Sequence, residues 1–201
     1  GRMEKPEQII DYLDKALKLD NNALNAYLLL SELAYLDERP DLAYQAAHNA
    51  TLIDPENAQG QYLLTLATQL QKSHEIDPVN ELLNQGKVDD AWREINKILE
   101  KDPDNILAKN VKGNVLGRGY GRLDEALLIF KEIVETDPNF ASAWENMGIC
   151  YALKKDFDNA ERCLLHALEL SPDNENIKLN LYYMYTNKGD EQSAAKYKPK
   201  N

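Results

Sequence analysis

Residues 141–174 read ASAWENMGICYALKKDFDNAERCLLHALELSPDN, and this stretch decides the fold. Apolar residues recur at three- and four-residue steps in both of its halves, the spacing of one face of an α-helix. The charged turn Lys154-Lys155-Asp156 joins the halves, and Pro172, which has no amide hydrogen to donate, closes the second. Large side chains (Trp144, Tyr151, Leu164) alternate with small ones (Gly148, Ala160, Ala167). The small residues let two antiparallel helices approach closely, and the large ones fill the gap to the next pair. A hairpin this short cannot bury both of its faces alone, so it requires stacked neighbours.

Those neighbours are visible on both sides. Ala126, Ala160 and Ala194 are spaced by 34, as are Pro138 and Pro172. One step upstream, Ala91 and Pro103 precede Ala126 and Pro138 by 35. One residue has been inserted, and the turn Gly117-Arg118-Gly119-Tyr120-Gly121 is its natural home. Further back, Ala43 to Ala91 and Pro55 to Pro103 are both 48. Two landmarks that shift together define one lattice. The excess of 14 over 34 falls in 57–86. Residues 57–72 read as a first helix through Tyr62, Leu63, Leu66 and Leu70. Ser73-His74-Glu75-Ile76-Asp77-Pro78 then breaks the pattern, before a short apolar piece at 79–83 and Gly86.

The 141–174 unit resembles the tetratricopeptide repeat, whose 34-residue pattern places Trp, Leu, Gly, Tyr, Gly, Ala, Phe, Ala and Pro in order. Trp144, Met147 for Leu, Gly148, Tyr151, Ala160, Leu164 for Phe, Ala167 and Pro172 stand at those places, with Lys155 at the turn glycine. Residues 106–140 keep Gly113, Ala126, Phe130 and Pro138 but carry Lys109 for Trp. Residues 175–197 keep Tyr185, Gly189 and Ala194; upstream, Tyr27, Ala43, Ala50 and Pro55 mark another repeat. A helix at 4–18 looks like a lone second helix, with Leu13 and Ala16 in register and Asn21 where Pro would fall. The resemblance implies an all-α, right-handed superhelix (α-solenoid) of antiparallel helix pairs, with about 11–12 helices. An N-terminal array is expected over 4–72 (a lone second helix, one full repeat, one first helix). An irregular insertion with a short helix follows over 73–87, then a C-terminal array over 88–197.

Composition narrows the function. Net charge is −11, and residues 1–100 hold 18 Asp/Glu against 9 Lys/Arg. Nucleic acid, which rewards a basic stripe, is not the expected partner. An acidic N-terminal half suits a basic partner, although a solvated helix surface explains it more simply. No apolar run reaches the ~20 residues of a membrane span, so direct membrane insertion is not expected. Cytoplasmic placement is the working expectation, with a periplasmic or membrane-anchored full-length protein as alternatives. Cys150 and Cys163 fit neither a disulfide framework nor a metal pair, and read as small buried hydrophobes. His48, His74 and His166 lack metal-ligand spacing, so neither a metal nor any cofactor is expected. The 117–121 glycine run follows a helix, not a strand, and is a turn, not a phosphate loop. Asp89-Asp90 and Asp124-Glu125 open second helices, where the helix dipole favours negative charge. No residue is assigned a catalytic role.

The resemblance implies instead a non-enzymatic scaffold that holds an extended peptide or partner helix in a concave groove lined by first helices. Transferred along the lattice, the groove comprises Asn25, Leu28, Glu32 and Tyr35; Leu107, Asn110, Asn114 and Arg118; Ser142, Glu145, Asn146 and Ile149; and Asn176, Asn180, Tyr183 and Asn187. Asn146 and Asn180, 34 apart, form a candidate amide ladder for a peptide main chain. A basic clamp for a chaperone C-terminus is not expected. Asn114 and Asn146 fill its amide positions, but Asn110, Asn176 and Asn180 stand where its cations would be. Two alternatives remain: a self-assembling structural protein, or a repeat segment of a larger enzyme or assembly machine.

Overall fold

The computed structural model describes residues 6–17 and 23–199. Eleven α-helices run through them: α1 Pro6–Leu17, α2 Leu24–Leu36, α3 Pro40–Ile53, α4 Ala58–Asn84, α5 Val88–Lys101, α6 Ile106–Asn114, α7 Leu123–Thr136, α8 Ala141–Leu153, α9 Phe157–Leu170, α10 Glu175–Lys188 and α11 Glu191–Lys196. No strand occurs among the described residues. α1 covers the expected lone second helix; Asn21 and the ends of the 4–18 span lie outside the described residues. The architecture is a stack of antiparallel helix pairs: α2 with α3, α6 with α7, α8 with α9, α10 with α11. The chain divides into two compact units, 1–77 and 78–201, and the division falls inside α4.

Each hairpin turns on a left-handed residue: Glu38, Gly86, Gly121, Lys155 and Gly189, with φ of 53°, 74°, 70°, 63° and 81°. The next amide reaches back to the end of the preceding helix. Arg39 N donates to Ala34 O, Lys87 N to Leu82 O, Asp156 N to Tyr151 O and Asp190 N to Tyr185 O, at 2.9–3.0 Å. These four bonds span five residues. The fifth, Arg122 N to Leu116 O at 2.9 Å, spans six. The inserted residue therefore sits in the last turn of the first helix, where Val115–Gly119 is π-helical and Tyr120 N donates to Val115 O. The glycines permit it: a Cβ on Gly119 would lie 2.6 Å from Val88 Cγ1, and one on Gly117 3.3 Å from the Ala126 Cβ.

Inside each pair the small-against-large pattern is literal. A Cβ on Gly113 would lie 2.4 Å from the Phe130 ring, and one on Gly148 2.6 Å from Leu164 Cγ. Ser31 occupies the equivalent place in α2 and donates its hydroxyl to Ala43 O at 3.0 Å. A buried hydroxyl needs such a partner.

The expected irregular insertion is not irregular. Residues 73–84 continue α4 without interruption, and Pro78 lies within the helix. Ile76, Val79 and Leu83 are buried at i, i+3 and i+7, while Pro78 and His74 are exposed. The proline thus removes a hydrogen bond to the His74 carbonyl on the side open to water, where the loss is least costly. The first half of α4 buries Leu63 and Ala67 instead. At 100° per residue the two buried sets lie roughly half a turn apart. α4 is two first helices joined end to end. Its opening half keeps the face that meets the preceding pair, through Leu63 and Ala67. Its closing half buries Ile76, Val79 and Leu83 on the opposite side.

Candidate functional site

First helices line the candidate groove, so the place of each side chain is set by its count from the helix start. In α8 the fifth and sixth residues are Glu145 and Asn146; in α10 the sixth is Asn180; in α6 the fifth is Asn110. Asn146 Nδ2 donates to Asn110 Oδ1 at 3.0 Å, and Asn180 Nδ2 to Glu145 Oε1 at 2.8 Å. The fifth residue of one first helix thus meets the sixth of the next. Asn110, α8's pair Glu145–Asn146 and Asn180 form a polar line across three repeats. Burial pushes the Glu145 carboxyl above its ordinary range, and the Asn180 amide offsets part of that.

The remaining expected residues surround this line. Asn114, Ile149 and Leu107 are half-buried; Arg118, Ser142, Asn176, Tyr183 and Asn187 are exposed. Asn114, Arg118, Asn146 and Ile149 border one crevice beside the π-helical turn, together with Leu123, Cys150 and Leu153. In the other unit, Asn25 and Glu32 are exposed and Tyr35 is half-buried against Ala34, Ala43 and Ala67. Two residues differ from expectation. Leu28 is core, 5% exposed, because it packs with Leu63 of the following first helix. Asn110 is 8% exposed, its carbonyl already engaged by Asn146, so it supports the line and does not face outward.

The acidic residues that open second helices do more than meet the helix dipole. Asp41, Asp89, Asp124 and Asp158 each accept from the end of the next first helix: from Gln71 (2.9 Å), Tyr120 (2.6 Å), Lys154 and Lys188 (3.5 Å). Three of these pairs are 30 residues apart and one 31, the extra residue being the insertion. That period was present in the sequence as acid at one lattice position and a donor at another. Lys188 also donates to Glu161 at 3.0 Å, as does Tyr185 at 2.8 Å. Burial pushes the Glu161 carboxyl up, but these two donors outweigh it and hold the group below its ordinary range.

Among the described residues no three His, Cys, Asp or Glu gather to hold a metal ion. Cys150 and Cys163 are free and buried, and burial pushes both thiols up to about 11, far from thiolate chemistry at neutral pH. No described helix is long and apolar enough to cross a membrane. A stack of helix pairs with short turns and a side-chain-rich first-helix face defines the class of helical-repeat interaction modules.

The family model described as "Psidin, N-terminal TPR repeats region" matches residues 73–197, and the chain belongs to the tetratricopeptide repeat family. The BBSome complex member BBS4 homolog of Drosophila melanogaster is 26% identical over 183 residues, covering 90% of this chain and 34% of the relative. The peroxisomal targeting signal receptor of Yarrowia lipolytica is 39% identical over 74 residues, covering 37% of this chain and 12% of the relative. The chain spans about a third or less of these two proteins. Among solved structures, a thermophilic TPR protein of Thermus thermophilus aligns with a TM-score of 0.54 at 23% identity, covering 87% of this chain and 88% of that one. PilW, a type IV pilus biogenesis factor, aligns with a TM-score of 0.53 at 18% identity over 96% and 82% of the two chains. These structural likenesses concern the fold alone.

Proposed function

We propose that the chain is a non-catalytic protein-interaction scaffold that holds an extended peptide or partner helix on the first-helix face of its C-terminal array. The observation that carries this is the polar line through Asn110, Asn146, Glu145 and Asn180. Asn146 and Asn180 each use an amide hydrogen for the neighbouring repeat, and a side-chain amide has a carbonyl left to accept a peptide N–H. Main-chain recognition of this kind is indifferent to ligand sequence. Specificity then falls to the bordering side chains Arg118, Ile149 and Tyr183. The acidic balance of the chain favours a basic ligand over an acidic one. The Yarrowia relative, by its name a receptor for a targeting signal, is consistent with a peptide ligand.

Affinity capture from native lysate tests the proposal, comparing wild type with Asn146→Ala plus Asn180→Ala after far-UV circular dichroism has verified folding. Loss of captured partners is expected. An unchanged set would sink the amide line while leaving a scaffold that works through another surface.

Self-assembly is the second reading. A recess beside α10 is lined by Asn176, Leu179, Lys196 and Tyr197 and offers a surface for it. Light scattering coupled to size exclusion decides it, since a strict monomer across a wide concentration range excludes assembly through that surface.

A further inference from the structure

The N-terminal unit presents a different chemistry on the same face of its first helices. Its two first helices are α2 and the opening half of α4, which pack in one core through Leu28 and Leu63. Counting from the helix starts, the fifth and sixth residues are Leu28 and Leu29 in α2, Tyr62 and Leu63 in α4. The positions that hold amides and a carboxylate in the C-terminal array are all apolar here. Leu29 is 44% exposed and Tyr62 63%. Leu36, the thirteenth residue of α2, is 71% exposed; its equivalent Leu70 in α4 is half-buried, as is Leu66 one turn before it. Single exposed apolar residues are ordinary, but a row of them on one face of adjacent helices is not.

Three observations choose the occupant. First, the centre of the face has no amide or carboxylate line to satisfy the main chain of an extended peptide. A helix satisfies its own main chain and needs only an apolar surface. Second, Leu29 and Leu36 are seven residues apart on α2, and Tyr62, Leu66 and Leu70 recur at four on α4. Ridges at one- and two-turn intervals match the stripe of an amphipathic helix laid between them. Third, the surroundings are acidic. Residues 1–77 carry 13 Asp/Glu against 6 Lys/Arg, Glu32 stands exposed on the face itself, and Arg39 is already turned toward Asp11 at 3.9 Å.

We propose that the first-helix face of α2 and α4 is a second docking surface, which takes the apolar stripe of a basic amphipathic helix from a partner protein. It is separate in place and chemistry from the amide line of α6, α8 and α10. The C-terminal face reads a main chain, whereas this one reads an apolar stripe flanked by positive charge.

The probe is a synthetic helical peptide with Leu at i, i+3, i+4 and i+7 and Lys at its other positions. Its controls are the same peptide with Glu for Lys and one with Ser for Leu. Fluorescence anisotropy against the full chain is expected to show binding of the Leu/Lys peptide only. Leu36→Ser plus Tyr62→Ser, both at exposed positions, is expected to weaken it about tenfold or more. Asn146→Ala plus Asn180→Ala is expected to leave this affinity unchanged while removing peptide binding at the other face. Amide shifts in the NMR spectrum of the labelled chain are expected at 24–36 and 58–70. The proposal is overturned if the Leu/Glu peptide binds equally, or if the Leu36/Tyr62 pair leaves affinity unchanged. It is also overturned if light scattering shows a dimer of the free chain that the same pair abolishes, because a second copy would then own the face.

Discussion

Two stretches of first-helix surface in this chain share one geometry and differ in what fills it. In α2 and α4 the line of fifth and sixth residues is Leu29, Leu28, Leu63 and Tyr62; across α6, α8 and α10 it runs through Asn110, Asn146, Glu145 and Asn180. The apolar line closes by excluding water, a non-directional gain that tolerates small shifts between helices. The polar line closes by two hydrogen bonds of 2.8–3.0 Å, which fix the offset of each repeat on the next. One lattice therefore accepts either adhesive, and the choice sets both how the stack fails and what the face can recognise.

The contrast can be broken most sharply on its apolar side. Leu63→Ala removes a side chain that is 5% exposed and is expected to cost about 2–5 kcal/mol. Both tryptophans, Trp92 and Trp144, lie beyond residue 77. Urea unfolding followed by tryptophan fluorescence should therefore change less than unfolding followed by circular dichroism. Coincident shifts in the two signals would mean that the units unfold together.

On the polar side the cost is smaller and depends on how the pair is cut. Asn146→Ala leaves the buried Asn110 amide without its partner and should cost about 1–3 kcal/mol. Replacing both by Leu turns the polar line into the apolar one and should come close to wild-type stability. If the double variant were as unstable as the single, the two adhesives would not be interchangeable.

Turns offer a finer comparison, because each unit holds one left-handed residue that is not glycine. Glu38→Gly and Lys155→Gly should each stabilise by about 0.5–1 kcal/mol, read as a rise in urea midpoint. The smallest effect concerns Glu145. Its folded-state carboxyl is raised above the ordinary 4.5 by burial, so the protonated form is favoured by folding. The resulting penalty is absent well below 4.5, sets in as pH rises past that value, and is complete once pH exceeds the folded-state value. Glu145→Gln keeps an acceptor for Asn180 and should be slightly more stable than wild type at pH 7, with the gain vanishing at low pH.

Much of this was legible in the residues. The 34-residue spacing of Ala126, Ala160 and Ala194 gave the pairs, and Gly148 against Leu164 gave the close approach that the structure shows. The first-helix face was legible too, although not its internal bonding. Asn146 and Asn180 are equivalent by spacing, yet one pairs with Asn110 and the other with Glu145, since the pairing runs diagonally between neighbouring helices. Residues 73–84 were misleading for a different reason. Ile76, Val79 and Leu83 already had helical spacing, but Pro78 and a polar run interrupted it, and only burial reveals that the proline is on the outer side. The π-helical turn was hidden because a glycine-rich end looks the same whether the extra residue lies in the loop or in the helix.

The length of the fused helix α4 can be set against the repeat period. Two complete periods would set Gly86 68 residues after Glu38; the observed 48 is short by twenty, the span of one turn, one second helix and one loop. Gln71 and Gln85 both fall at the fourteenth place of a first helix, one counted from Ala58 and the other from Lys72. The excess of 14 over one 34-residue period is close to four helical turns, so the two halves of α4 continue in one phase while the spacings Ala43 to Ala91 and Pro55 to Pro103 shift together.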